Sequence, residues 1–159
     1  MAALAAPLFV VVSIAWLALL LAAPFLPAAV AGVTYAFCSL ICHQIPERSF
    51  HVGAVQLPVC ARCIGIYAGV VVGALVQVSR RPPTKVVRTL FVPGALPTVV
   101  TVAAEWVGWW QTSNSVRFAA GLPLGIAGGL VVAAALATLH CDECAPRPPI
   151  ASSRPPSPI

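Results

Sequence analysis

CSLICHQIPERSFHVGAVQLPVCARCIGIYAG, residues 38–69, decides how the chain is read. Four of the six cysteines and two of the three histidines fall inside it, with two arginines and one glutamate. The cysteines form two close pairs, Cys38/Cys42 and Cys60/Cys63, and His43 follows the first pair directly. From Cys60 the stretch passes into an unbroken apolar run, IGIYAGVVVGALVQV, which continues to Val78. A polar cysteine cluster feeding straight into such a run predicts a reactive or metal-binding head at the end of a membrane-spanning helix.

The composition outside this stretch supports that reading. Of the 159 residues, 60% are hydrophobic and 8% charged, and the mean hydropathy is +0.96. Soluble domains carry about 25% charged residues, so this chain cannot build a water-soluble surface. Lipid is the expected partner of its apolar faces. The +5 net charge predicts no nucleic-acid partner, because basic residues beside membrane helices set topology.

Working outward, residues 46–59 read as a polar connection holding Glu47, Arg48, Ser49, His51 and Gln56, closed by Pro58 before Cys60. Upstream, residues 28–42 make a short, partly inserted helix with Cys38 and Cys42 at i and i+4 on one face. Before it, the uncharged residues 3–23 make a first span. A signal peptide is the rival there, but the basic leader such a peptide needs is missing.

Downstream, the helix 60–78 carries Gly65, Gly69 and Gly73 at four-residue spacing, which suits close helix packing. Arg80, Arg81, Lys85 and Arg88 then place four positive charges in a short loop. A span over 89–110, broken by Pro93 and Pro97, carries Glu105 and ends in Trp106, Trp109 and Trp110, an interfacial aromatic belt. A last span over 118–139 is lined by Gly121, Gly125, Gly128 and Gly129. These glycine-rich faces offer either internal packing or a route to homo- or hetero-oligomers. His140, Cys141, Asp142, Glu143 and Cys144 follow, and the Pro/Ser-rich tail 145–159 reads as disordered. Residues 1–144 are thus expected to form one all-α polytopic bundle of about four spans plus the short cysteine-bearing helix.

Topology limits which groups can meet. If the basic loop at 80–88 is cytoplasmic, Cys60 and Cys63 lie at the extracytoplasmic face. Asn114 and Arg117 join them, while Cys141 and Cys144 fall on the opposite side. With four full spans and a partial one, the N-terminus is inside; with five full spans, it is outside.

Cys60-x-x-Cys63 at a helix start is chemically suggestive. Free N–H groups and the helix dipole favour a thiolate there, as does neighbouring Arg62. Four cysteines match a closed zinc site, and Cys3His is an accepted variant. Cys38, Cys42, Cys60 and Cys63 are therefore the expected zinc ligands, with His43 as substitute or supporting partner. Two alternatives stand: a membrane thiol–disulfide oxidoreductase passing electrons between the pairs, and a structural subunit whose loop is fixed by disulfides. Cys38-x3-Cys42-His43 also resembles a lengthened haem-attachment motif, but it lies in an apolar segment and Met1 is the only methionine. No cofactor other than zinc is expected. Arg48, Arg62, Glu105, Asn114 and Arg117 are expected to form a polar network at the membrane edge. For Arg117 and Glu47 the plainer alternative is snorkelling to the interface.

CHQIPERSF at 42–50, followed by LPVCARCIGIYAG at 57–69, resembles the signature of a prokaryotic family of small membrane proteins, domain of unknown function 2085. The family pattern reads CHQ-x-P-x-R-S-F and then C-A-R-C-T-G-I-Y-x-G; here Ile64 stands where Thr is usual. Ser113-Asn114 with Arg117, Gly121 and Gly125 is similar to the family's second block. Upstream of that block the family commonly has Asp-Gly and a Gln, and this chain has Thr101-Val102 and Glu105. The resemblance covers about residues 30–135. It implies a multi-spanning fold in a prokaryotic cytoplasmic membrane and carries no activity with it.

Overall fold

The computed structural model describes residues 4–138. His140, Cys141 and Cys144, and the tail expected to be disordered, lie outside them. Five helices and one hairpin make up the described chain: α1 (Ala5–Ala22), α2 (Ala28–Ser39), β1 (Ser49–Val52), β2 (Val55–Cys60), α3 (Ala61–Arg80), α4 (Thr84–Trp106) and α5 (Asn114–Thr138). Four helical stretches are long and apolar enough to cross a membrane: Ala5–Phe25, Ala61–Arg80, Lys85–Trp106 and Asn114–Ala137. At about 1.5 Å per residue each reaches the roughly 30 Å of a hydrocarbon core.

The central pair is α3 and α5. Gly65, Gly69 and Gly73 of α3 meet Gly121, Gly125 and Gly129 of α5 so closely that the backbones touch. A Cβ on Gly65 would run into the Phe118 carbonyl, one on Gly69 into Leu122, and one on Gly73 into Ile126. From the other side, a Cβ on Gly125 would strike the Ile66 carbonyl and one on Gly129 that of Val70. Residue numbers rise together along this seam, so α3 and α5 run parallel. Van der Waals contact between glycine-faced backbones holds helices together where lipid removes the hydrophobic drive.

Helix α4 runs antiparallel on the flank of α5. Gly94 faces Pro123 and Ala127, and the Thr98 hydroxyl donates to the Ala120 carbonyl at 2.7 Å. Helix α1 runs antiparallel to α3: Leu20 packs with Ile64, Trp16 lies edge-on to Tyr67 at 6.1 Å, and Val10 packs with Ala74 and Ala133. The start of α1, the end of α3 and the start of α4 therefore share one end of the bundle with Arg80, Arg81, Lys85 and Arg88. The other end carries α2, the hairpin and the cysteines. Helix α2 has 12 residues, about 18 Å of helix, too short to cross.

Four expectations are corrected. The third span is not 89–110 but Thr84–Trp106, because Pro83 serves as its N-cap and the helix opens directly after it. Pro93 and Pro97 lie inside this continuous helix rather than breaking it; membrane helices tolerate proline where neighbouring groups re-satisfy the backbone. Residues 46–59 are not merely a loop. They form a short 3-10 turn, Pro46–Arg48, and an antiparallel hairpin pairing Val52 with Val55. Gly53, at φ +61°, makes the tight turn. The short helix also stops earlier than residue 42, at Ser39.

Candidate metal centre

Each of three cysteines is brought in by a different element. Cys42 lies in the turn beyond α2, where its N–H donates to the Cys38 carbonyl at 2.9 Å. Cys60 ends β2 and is the N-cap of α3, and Cys63 lies in the first turn of that helix. Their sulfurs all lie within 4.8 Å of one another. The Cys60 and Cys63 Sγ atoms are 3.4 Å apart, and the Cys60 N–H donates to Cys42 Sγ at 3.2 Å. Tetrahedral zinc, with Zn–S of about 2.3 Å, places sulfurs about 3.8 Å apart, which is compatible with this spread. The group can hold a metal ion.

Cys38 is fully buried in the apolar cluster that also contains Leu20, Cys42, Leu57, Val59 and Ile64, but it is not one of the three grouped sulfurs. His43 is exposed and also stands outside the group. Cys38, Cys42, Cys60 and Cys63, the cysteines among the described residues, are all free thiols.

A polar clamp holds the turn of Cys42 against β2. Gln44 adopts a left-handed backbone at φ +49°. Its side-chain amide donates to the Tyr35 carbonyl at 2.8 Å and the Pro58 carbonyl at 2.9 Å. Gln56 returns the contact, donating to the Gln44 carbonyl at 2.7 Å, and the Tyr35 hydroxyl donates to the Gln56 carbonyl. Sequence reasoning missed Tyr35, Gln44 and Gln56 as site-builders. The signal available was Gln44 itself, inside the CHQ triplet.

Cys60 ionises far more easily than an ordinary thiol. Its pKa falls from 9.0 to about 5, first because Cys63 hydrogen-bonds to it. Burial opposes the shift, while the N–H groups of Cys63 and Arg62 and the Cys42 thiol add to it. A thiolate at a helix N-terminus is ready both to bind metal and to act as a nucleophile.

Next to this centre lies an ionic cluster linking α3, α4 and α5. Glu105, only 8% exposed, accepts from Arg117 Nε at 2.9 Å and faces Arg62 Nη2 at 3.5 Å. The Thr112 hydroxyl donates to the same carboxylate oxygen. Arg117 Nη1 donates to Asn114 Oδ1 at 3.0 Å and to the Glu47 carbonyl at 3.4 Å, and Asn114 Nδ2 donates to the Ser49 carbonyl at 2.9 Å. The structure thus brings together Arg62, Glu105, Asn114 and Arg117. Arg48 makes no side-chain ion pair among the described residues. Arg117 does not snorkel: it is 5% exposed because Glu105 supplies a buried partner. Glu47 does stay exposed and contributes only its carbonyl. Thr101, which meets Arg62 Nη2 at 3.5 Å, and Thr112 were not anticipated.

The chain is similar to two uncharacterized archaeal proteins. An uncharacterized protein of Methanocaldococcus jannaschii is 39% identical over 101 residues, covering 62% of this chain and 63% of that protein. An uncharacterized protein of Methanothermobacter thermautotrophicus is 36% identical over 96 residues, covering 58% of this chain and 82% of that protein. The chain thus spans less than two thirds of the length of the first of these relatives. No solved structure matches. The family described as "Predicted membrane protein (DUF2085)" matches residues 42–131, a range that takes in Cys42, Cys60, Cys63 and the whole Arg62–Glu105–Arg117 cluster, and the chain belongs to that family of multi-pass membrane proteins.

Proposed function

We propose that this protein carries a thiolate zinc centre at the extracytoplasmic edge of the membrane, with Cys42, Cys60 and Cys63 as its protein ligands. The observation that carries the reading is the convergence of three free sulfurs from three separate elements within 4.8 Å. Zinc suits thiolate ligands in tetrahedral geometry. Cys60 and Cys63 are partly exposed while Cys42 is buried, so a zinc held by the three would leave room for a non-protein ligand. Three protein ligands with one open position is the pattern of zinc sites that do chemistry rather than only staple a fold. Cys38 lies behind the group as a packed core thiol. The basic residues at 80–88, at the opposite end of the bundle, support this face, because such clusters favour the cytoplasmic side. Metal analysis of the purified chain tests the proposal: one zinc per chain, lost when any of the three ligands is changed to Ser, is the expected result.

A second reading rests on a separate observation. The 3.4 Å spacing of Cys60 and Cys63, with Cys60 ionised near pH 5, suits a dithiol that attacks through Cys60 and resolves through Cys63. In metal-free protein, Cys63→Ser would then trap a mixed disulfide on Cys60. Under the zinc reading that variant traps nothing and loses its metal.

A further inference from the structure

Arg62 and Arg117 converge on one oxygen, Glu105 Oε1, at 3.5 and 2.9 Å. Two guanidiniums and one carboxylate leave one uncompensated positive charge. The side chains of Arg62, Arg117 and Glu105 are only 16%, 6% and 2% exposed, so water screens that charge poorly.

The donors are unevenly used. Arg117 commits Nε to Glu105 and Nη1 to Asn114 and the Glu47 carbonyl. Arg62 reaches Glu105 and Thr101 through Nη2 alone, each at 3.5 Å. Its Nε is buried with no acceptor. Buried N–H groups are rarely left so, and no sulfur is among the acceptors of this guanidinium among the described residues.

The depth of the cluster points to the missing acceptor. Trp106 follows Glu105 in the chain and is 90% exposed, and Trp109 and Trp110 are 86% and 54% exposed. Exposed tryptophans at the end of a span mark the headgroup level of a bilayer, where phosphate is the abundant oxyanion. The guanidinium fork matches phosphate oxygens in paired hydrogen bonds.

We propose that Arg62 and Arg117 together hold a phosphate group at the cysteine end of the bundle, with Arg62 as the principal donor. This site does not require the metal. The phosphate comes either from a lipid headgroup or from solution, and the test separates the two sources.

The full chain is purified in maltoside, which contains no phosphate, and its thermal unfolding is followed in two titrations. One adds phosphatidylglycerol against a phosphate-free diacylglycerol. The other adds inorganic phosphate against chloride at fixed ionic strength. A saturable rise in melting temperature with phosphatidylglycerol alone identifies a headgroup site, and a rise with inorganic phosphate identifies a site for soluble phosphate. Arg62→Gln should weaken half-saturation by roughly tenfold or more, as expected for losing a charge-assisted hydrogen bond. Glu105→Gln, which removes the competing carboxylate, should tighten it. If neither phosphate form moves the wild-type transition, the proposal is overturned. A folded Arg62→Gln protein with an undiminished response overturns it equally.

Discussion

The main-chain N–H of Cys60 donates to Cys42 Sγ at 3.2 Å, joining the turn after α2 to the junction of β2 and α3. The contact seats the Cys42 sulfur beside Cys60 and Cys63, within the 4.8 Å group. The Gln44 clamp to Tyr35 and Pro58 holds the two segments at that distance.

The glycine seam predicts an asymmetric response to a single methyl. Gly69→Ala and Gly125→Ala each drive a Cβ into the facing backbone and should cost about 1–3 kcal/mol. At Gly128 a Cβ meets nothing within 4 Å, so Gly128→Ala should be neutral or slightly stabilising. Thermal unfolding in detergent reads all three. Equal losses at the three positions would show that the seam is not where the helices touch.

The ionisation of Cys60 predicts a pH profile in zinc-stripped protein. Its pKa is about 5 in the fold against the usual 9.0. Ionisation therefore favours the fold fully above pH 9.0, progressively less as pH falls toward about 5, and not at all below that. Alkylation of Cys60 by neutral iodoacetamide should be half-maximal near pH 5. A midpoint near 9 would mean that the sulfur group does not stabilise the thiolate.

Much of the fold was legible, because runs of about 20 uncharged residues admit few alternatives to a spanning helix. The limits of α4 were not. Pro93 and Pro97 read as breaks by local rules, and only the flanking contact with α5 shows why the helix continues past them. The hairpin was hidden because Phe50, His51 and Val52 give too short an alternation to stand out. Cys42, Cys60 and Cys63 were legible from spacing alone. The separate standing of Cys38 was not, since it depends on the turn beyond Ser39 carrying Cys42 to β2 while Cys38 stays in the packed helix. Glu105 and Arg117 were legible as members of one polar network, but their direct pairing was not, because it exists only through the antiparallel register of α4 on α5.

Orientation is tested with cysteines introduced into intact cells. Gln111→Cys, in the exposed turn at the cysteine end, should react with an impermeant maleimide without lysis. Arg81→Cys, in the basic turn, should react only after lysis. The reverse pattern would place the sulfur centre in the cytoplasm and remove the extracytoplasmic assignment.

The most direct test of the central claim is the zinc content of the purified chain and of four single variants. Wild type should carry one zinc per chain. Cys42→Ser, Cys60→Ser and Cys63→Ser should each lose the zinc, while Cys38→Ser keeps the full complement. Wild-type protein that is well folded yet free of zinc after purification in zinc-replete medium would contradict the account, as would a Cys38→Ser protein that loses the metal as completely as the other three.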